Sequence, residues 1–115
     1  MNHLALLLTI AYSLVSGSLL AQDEIIGVWD TGEGRVEIHQ TEEGYIGNPI
    51  DTSGVRRDEI QVLTLTHTRN KWNGKIYSIK KDKRMNVECR IKEEQLHLRV
   101  KAGMIKRTLK WTRVQ

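Results

Sequence analysis

The chain has 115 residues, with 18 Lys and Arg against 14 Asp and Glu, and its formal net charge at pH 7 is +4. This length supports one domain with one modest hydrophobic core and excludes a multidomain architecture. The single cysteine, Cys89, excludes an internal disulfide, so the folded state must be stabilised by packing and by closure of a sheet.

The first segment, Met1–Ala21, is typical of a secretory signal peptide. It carries no charged side chain, and its apolar run at residues 4–11 is followed by small and polar residues. Cleavage after Ala21 or after Gly17 fits the pattern; we expect it after Ala21, which leaves residues 22–115 as a single domain. The apolar run is shorter than the roughly 20 residues of a membrane-spanning helix. We therefore expect a protein secreted across the inner membrane, periplasmic or extracellular, with no transmembrane segment after cleavage.

Directly after this segment, apolar and polar residues alternate with a period of two, which is typical of half-buried strands. We place the first strand at Ile25–Trp29 and a second over residues 36–40. Residues 41–44 are predicted to form a turn in which the glycine takes a positive φ, and Tyr45 begins the return strand.

The longest predicted loop runs from Gly47 to Glu59. This stretch holds the only proline of the chain, two glycines and several small polar residues, a composition typical of loops. If one loop of the domain carries function, we expect it to be this one. Its candidate ligand-contacting residues are Asn48, Pro49, Asp51, Arg56 and Arg57.

A hairpin follows, with strands at Ile60–Thr68 and Trp72–Ile79 and a turn at residues 69–71. The competing position for the turn is Asn73–Gly74, a strong two-residue turn signal. We reject it because the alternation of inward and outward residues continues through both positions. Gly74 is instead expected to mark a bulge or a close approach of two backbones.

The second half of the chain continues with the same period. A tip at residues 80–84 leads into the clearest strand, in which every second residue from Met85 to Ile91 is apolar and faces inward. Turns at residues 93–94 and 102–103 separate two further strands. With about eight strands, the predicted fold class is all-β, a small antiparallel up-and-down β-barrel, and an open meander is the alternative.

Tryptophans stand near both ends of the predicted domain, in Gly27-Val28-Trp29 and in Trp111-Thr112-Arg113. These segments resemble lipocalin-type barrels, in which a Gly-x-Trp on the first strand lies at the closed end and a basic residue of the last strand lies across the indole. The resemblance implies that Arg113 stacks on Trp29, a contact that contributes about 0.5 to 2 kcal/mol.

Over Gly27–Val114 the chain resembles the secreted bacterial domain-of-unknown-function family 2147. The motifs are residues 34–38, Trp72-Asn73-Gly74-Lys75-Ile76-Tyr77 and residues 107–114. The resemblance implies a calycin-like barrel and a secreted location, but no reaction. The residues of this structural signature are Gly27, Trp29, Trp72, Gly74, Tyr77, Trp111 and Arg113.

Residues that carry chemistry in other proteins have simpler interpretations here. Asp30, Glu33 and Glu37 fit a solvated turn better than a catalytic pair of carboxylates. The histidines of the domain lack metal-ligand spacing, and no Gly-x-Ser-x-Gly motif is present. Cys89 alternates with apolar residues, so we expect a buried thiol, with intermolecular pairing or a reactive thiol as the alternatives. We predict no catalytic residue, no metal and no cofactor.

Basic residues crowd the second half of the chain. On adjacent antiparallel strands their outward members would share one face, which either keeps a small barrel soluble or attracts an anionic envelope component. Lipid headgroups, glycans and acidic proteins fit a secreted protein; nucleic acid does not. The candidate residues of this basic face are Lys80, Lys81, Lys83, Arg84, Arg90 and Arg99.

The functional hypothesis is therefore a non-enzymatic binding module, a monomer or weak dimer. It would hold a small apolar or amphipathic ligand at the open end of the barrel, bordered by the Gly47–Glu59 loop. The alternative is an interaction protein that uses the basic face, and a lower-ranked alternative is a hydrolytic enzyme whose reaction the sequence does not indicate.

Overall fold

In a computed structural model, which describes residues 21–114, eight antiparallel strands form one closed barrel. Each strand pairs with the next along the chain, and the first pairs with the last through Trp29 with Arg113 and Asp30 with Thr112. This confirms the predicted fold class and excludes the open meander. The strands are β1 (Gly27–Asp30), β2 (Arg35–Thr41), β3 (Gly44–Ile50), β4 (Leu63–Thr68), β5 (Lys71–Ser78), β6 (Lys83–Lys92), β7 (Gln95–Ala102) and β8 (Ile105–Arg113).

The core lies inside the barrel because successive side chains of a strand point to opposite faces. On β6, Val87 and Cys89 are buried and pair with Val100 and Leu98 of β7, whereas Glu88 between them faces outward. The same alternation lines the interior from every strand. The buried apolar cluster comprises Ile25, Trp29, Val36, Ile38, Tyr45, Val62, Leu63, Leu65, Trp72, Ile76, Val87, Cys89, Leu96, Leu98, Val100 and Trp111.

Two strand pairings are the shortest that the structure describes. β1 meets β8 at Trp29–Arg113 and Asp30–Thr112, and β3 meets β4 over Tyr45–Gly47. The barrel therefore consists of two meanders, β1–β3 and β4–β8, joined along two short seams.

The two ends of the barrel differ. At one end, named the closed end, residues 22–26 precede β1 and bring Ile25 into the core, where it is fully buried. The other end, named the open end, carries the turns at residues 31–34, 79–82 and 103–104 together with the connection from β3 to β4.

The predicted loop over Gly47–Glu59 is wrong at its start. β3 continues through Ile50 and pairs with β2 to the beginning of that strand, so Asn48 and Pro49 are strand residues and the connection to β4 spans residues 51–62. Proline and glycine give this stretch the composition of a loop, but pairing with β2 outweighs their low strand propensity.

Pro49 fits this strand because no ladder hydrogen bond is required from its nitrogen. It pairs with Val36 of β2, and its carbonyl accepts a hydrogen bond from the Arg57 backbone N–H at 2.9 Å on the side away from β2. The proline nitrogen faces that same side, where the ladder with β4 has already ended at Gly47.

Three predicted strand starts shift by two residues or more. β6 begins at Lys83, inside the predicted tip at residues 80–84, because Lys83 and Arg84 pair with the end of β5. β4 begins at Leu63, not at Ile60, because the preceding residues belong to the connection that folds back on β3. β1 spans Gly27–Asp30, not Ile25–Trp29, because Ile25 fills the closed end instead of joining the ladder.

The β4–β5 turn lies at Arg69–Asn70, within the predicted turn at residues 69–71, and Lys71 already pairs in β5. Asn73–Gly74 lies inside β5, as predicted. A Cβ on Gly74 would lie 1.8 Å from the backbone oxygen of Thr64. The glycine therefore marks a close approach of the two backbones.

The predicted signal peptide, Met1–Ala21, lies outside the described residues except for Ala21. Within residues 21–114, no helix is long and apolar enough to cross a membrane.

Candidate functional site

The chain that precedes β1 seals the closed end. Trp29 Nε1 donates a hydrogen bond to the Ile25 carbonyl at 2.9 Å, and the Arg113 guanidinium lies over the Trp29 ring, 4.3 Å from its centroid. Arg113 also donates to the carbonyls of Ile26, at 3.0 Å, and Glu24. Because Trp29 is fully buried, its indole seals the barrel and is not placed to contact a ligand.

Two further side chains tie the same segment to the barrel wall. Trp72 Nε1 donates to the Gln22 carbonyl at 3.2 Å, and the Tyr45 hydroxyl donates to Asp23 at 2.8 Å. Burial, followed by the hydrogen bond to this carboxylate, raises the pKa of Tyr45 to about 12, because both disfavour a phenolate. Tyr45 is therefore a structural donor at neutral pH.

The other residues of the structural signature lie apart. Gly27 has a φ of 146° at the start of β1, and Gly74 contacts the backbone of β4. Tyr77 lies near the β5–β6 turn, where its hydroxyl donates to Asp82 at 2.6 Å, and this hydrogen bond is the main cause that raises the pKa of Tyr77. Trp111 is buried below the open end.

Cys89 is fully buried between β5 and β7. Burial, with a smaller effect of the neighbouring Glu88 carboxylate, raises the pKa of the Cys89 thiol to about 12. A thiol in this environment stays protonated at neutral pH and is a poor nucleophile.

The carboxylates considered above as a catalytic pair have separate partners. Asp30 accepts a backbone N–H within its own turn at 2.8 Å, Glu33 pairs with Lys80 at 3.1 Å, and Glu37 pairs with Arg56 at 3.2 Å. Within the part of the chain that the structure describes, no group of three His, Cys, Asp or Glu side chains is placed to hold a metal ion.

Arg56 folds the 51–62 connection over the outer surface of β2. Its guanidinium pairs with Glu37 of β2 at 3.2 Å and with Asp58 at 2.6 Å, and the hydrogen bond to Asp58 is the main cause that raises the pKa of Arg56. Asn48 points outward from β3 but is only 2% exposed. Its Oδ1 lies 2.7 Å from His39 Nε2, and its Nδ2 donates to a carbonyl of the connection at 2.8 Å.

Asp51 and Arg57 organise the base of the same connection. Asp51 accepts the backbone N–H groups of Ser53, at 2.9 Å, and Val55, at 3.0 Å. Arg57 lies 3.6 Å from Asp51 and 2.9 Å from Glu59. The charged residues of the predicted ligand loop therefore neutralise one another.

The open end carries a cavity of about 730 Å³, within the usual size range of small-molecule sites. Leu109 and Trp111 of β8 and Val100 of β7 form its apolar floor. Pro49 is the one predicted ligand-loop residue that lines it. The apolar lining is completed by Val36, Ile50, Val62, Ile76, Ile79, Met85, Ala102 and Ile105.

Two cations share the inner face of the barrel at this cavity. Arg107 pairs with the buried Val100, so both side chains lie on the same side of the sheet. Lys83 lies on the inward side of β6, two residues before Met85. Neither cation has a carboxylate within 4.0 Å among residues 21–114.

Arg107 was not among the predicted site residues. Its position two residues before Leu109 placed it in the inward phase, and this is the signal that would have identified it. What the sequence lacked was the register, which sets Arg107 above an apolar floor at the mouth of the barrel.

The rim of the cavity is positively charged. Its one carboxylate among the described lining residues, Glu33, is already paired with Lys80. The basic lining residues are Arg35, Lys80, Lys81, Lys83, Arg107 and Lys110. The structure therefore places three residues of the predicted basic face, Lys80, Lys81 and Lys83, at this rim.

The other three residues, Arg84, Arg90 and Arg99, lie on the outer surface of β5–β8. Glu88 is the one outward carboxylate on these four strands. It lies 2.9 Å from Lys71 and 3.6 Å from Arg90, and the hydrogen bond from Lys71 is the main cause that lowers its pKa. We name this surface the outer basic face; it comprises Lys71, Lys75, Arg84, Arg90, Lys92, Arg99, Lys101, Lys106 and Lys110.

A second cavity, of about 340 Å³, lies at the closed end between His67, Trp72 and Ile91. It is half the volume of the open-end cavity, and its ring pair, His67 and Trp72, packs at 5.0 Å between centroids. The open-end cavity is the stronger candidate because it combines an apolar floor with two cations, Arg107 and Lys83, that have no carboxylate partner among residues 21–114.

Comparison with known proteins assigns no family. No family model matches the chain, and neither a curated protein nor a solved structure matches it. The resemblance to family 2147 therefore stays a prediction.

Proposed function

We propose that the protein is a non-enzymatic binding module that holds a small amphipathic anion in the open-end cavity. The observation that carries this proposal is the position of Arg107 and Lys83 on the inner face, above Trp111 and without a carboxylate partner among the described residues. A guanidinium or ammonium beside an apolar wall is complementary to a ligand that has a carboxylate or phosphate at one end.

The dimensions of the site limit the ligand. Arg107 and Trp111 are four residues apart on β8, which corresponds to about 13 Å along a strand. A ligand whose acidic group meets Arg107 therefore has room for an apolar body of about that length. Linear acids of medium chain length satisfy both conditions.

Isothermal titration calorimetry with decanoate and with 1-decanol tests the proposal, because these ligands share a chain and differ in charge. We expect decanoate to bind more tightly. Arg107→Gln should weaken decanoate about 10- to 100-fold, since a hydrogen bond to a charged group contributes about 1.5–3 kcal/mol, and should leave decanol unchanged.

Lys106→Gln is the matched control, because it removes one positive charge from the adjacent, outward-facing position. We expect it to retain nearly all of the affinity for decanoate. Failure of both ligands to bind at millimolar concentration, or an equal loss in the two variants, would contradict the proposed site.

The outer basic face favours a second candidate function, the binding of an anionic envelope component such as a lipid headgroup, a glycan or an acidic protein. Its nine basic residues share the single carboxylate of Glu88, which pairs with Lys71 and Arg90. A variant with both Arg99→Gln and Lys101→Gln, two outward residues of β7 that do not line the cavity, should elute from a polyanionic resin at lower salt than one with Arg56→Gln and Arg57→Gln. Equal elution would exclude a specific role for this face.

We also propose that the protein is exported across the inner membrane and that it belongs to family 2147. The side chains of the barrel wall hydrogen-bond to this segment from Gln22 onward, so cleavage after Ala21 would retain these bonds, although it would remove the Ala21 carbonyl that accepts the Glu24 backbone N–H. The intact mass of the protein recovered outside the inner membrane measures the cleavage site. A mass that includes residues 1–21 would contradict the predicted signal peptide.

A further inference from the structure

Exposed apolar side chains lie at two turns of the open end, where Ile79 and Ile105 also line the mouth of the cavity. Among the described residues, Met104 is fully exposed, Ile105 is 69% exposed and Ile79 is 56% exposed. Ile79 lies in the β5–β6 turn, and the other two lie at the β7–β8 turn. Large apolar groups that remain in water on a domain this small mark an interaction surface when they occur together.

Local backbone structure orders both tips. Ala102 pairs with Ile105, and Gly103 between them has a φ of 65°, the conformation that a two-residue hairpin requires at its first central position. In the other turn, Asp82 has a φ of 47° and accepts the Tyr77 hydroxyl at 2.6 Å. The tips are therefore parts of ordered hairpins.

Basic residues flank both apolar tips. Lys80, Lys81 and Lys83 follow Ile79, and Lys101, Lys106 and Arg107 flank Met104 and Ile105. In sequence, the carboxylate nearest to Ile79 is Asp82, which accepts the Tyr77 hydroxyl, and the carboxylate nearest to Met104 is Glu94, in the β6–β7 turn at the closed end. Glu33 pairs with Lys80, so the net positive charge around the two tips comes from the remaining basic residues, which are Lys81, Lys83, Lys101, Lys106 and Arg107.

We propose that the open end docks on an anionic lipid bilayer, with Ile79, Met104 and Ile105 entering the interfacial region and the flanking lysines contacting headgroups. This inference concerns a surface and does not depend on a ligand in the cavity. Apolar tips within a ring of Lys and Arg are the pattern of interfacial membrane binding. The tips carry no aromatic side chain to stack nucleic-acid bases.

The proposal is tested by co-flotation of the purified protein with vesicles of equal parts phosphatidylglycerol and phosphatidylcholine, and with pure phosphatidylcholine vesicles. We expect binding to the anionic vesicles at low salt and release at high salt. Met104→Asp should lower the partition coefficient at least tenfold, and Lys81→Gln about fivefold, as one basic residue near an anionic surface contributes.

Val114→Asp is the matched control, because it introduces the same charge at a half-exposed apolar residue of the closed end. Val114→Asp should bind vesicles as the wild type does. All variants are prepared with the same amino terminus, so the comparison reports only on the substituted residue. Equal binding to pure phosphatidylcholine, or unchanged binding of Met104→Asp, would overturn the proposal. Calorimetry with decanoate on Met104→Asp separates the two proposals, because a cavity that still binds the acid shows that only the docking surface was lost.

Discussion

Gly74→Ala tests whether the barrel depends on the close approach of β4 and β5. The new Cβ would lie 1.8 Å from the Thr64 backbone oxygen and 2.9 Å from the Thr64 carbonyl carbon. Since Cβ atoms essentially never approach another atom within 3.0 Å, the two backbones must separate by more than about 1 Å, and overpacking of this kind is destabilising. Pairings of Gly74 and Lys75 with Leu65 and Thr64 would be lost.

The expected loss in the free energy of unfolding follows from the backbone hydrogen bonds between β4 and β5 that the separation breaks. Two backbone hydrogen bonds contribute about 1 kcal/mol each, and leaving their buried groups unpaired adds a similar amount, so we expect a loss of about 3 to 5 kcal/mol in the free energy of unfolding. For a domain of this size that loss corresponds to a decrease in Tm of about 15 to 30 °C.

Urea unfolding followed by tryptophan fluorescence measures the effect of Gly74→Ala. Gly34→Ala is the matched control, because a Cβ on Gly34 meets nothing within 4 Å and the residue has no positive φ. We expect the control to change stability by less than about 1 kcal/mol, in the stabilising direction. A similar small change for Gly74→Ala, with an unchanged denaturant slope, would refute the close-approach interpretation.

Two further predictions concern buried titratable groups. Because the pKa of Tyr45 is raised from 10 to about 12 in the folded state, its contribution to stability is complete below pH 10 and is lost as the pH rises through 12. Tyr45→Phe should therefore be about 1 kcal/mol less stable than the wild type at neutral pH, through loss of the hydrogen bond to Asp23. In pH-dependent urea unfolding this difference should shrink above pH 10 and change sign before pH 12, because only the wild type has a phenol that ionises more readily in the unfolded state; a constant difference would contradict it. At pH 8, Cys89 should react with a disulfide reagent more than about 1000-fold more slowly in the native protein than in denaturant. The reason is that its thiol is buried and that burial raises its pKa to about 12. A native rate within tenfold of the denatured rate would show an accessible thiolate.

Much of the barrel was predictable because each inward face repeats every two residues. The alternation from Met85 to Ile91 was sufficient to orient β6, and the two-residue spacing through Asn73–Gly74 was sufficient to reject a turn there. The extent of β3 was not predictable, because Pro49 is compatible with a strand only when the ladder on its nitrogen side has ended. That condition is a property of the neighbouring strand.

The candidate site was less predictable than the fold. Loop composition predicted Arg56 and Arg57 as ligand-contacting residues, but both pair with carboxylates. Arg56 pairs with one carboxylate of β2 and one of the connection, and Arg57 pairs within the connection. Arg107 carried the inward phase in sequence, yet its role depends on where β8 meets β7 and on which end of the barrel is sealed. Registers and end closures are long-range properties that periodicity does not encode.

The two meanders that meet at the short seams carry net charges of opposite sign. Residues 21–62, which contain β1–β3, hold ten Asp and Glu against three Lys and Arg, whereas residues 63–115 hold four against fifteen. The halves therefore attract each other across the seams, where backbone pairing is shortest. Added salt screens that attraction, so local opening along the seams, measured by hydrogen exchange at β1 and β3, should become more frequent as ionic strength rises. Ionic strength then sets how readily the side of the barrel opens, while the pairing within each meander stays intact.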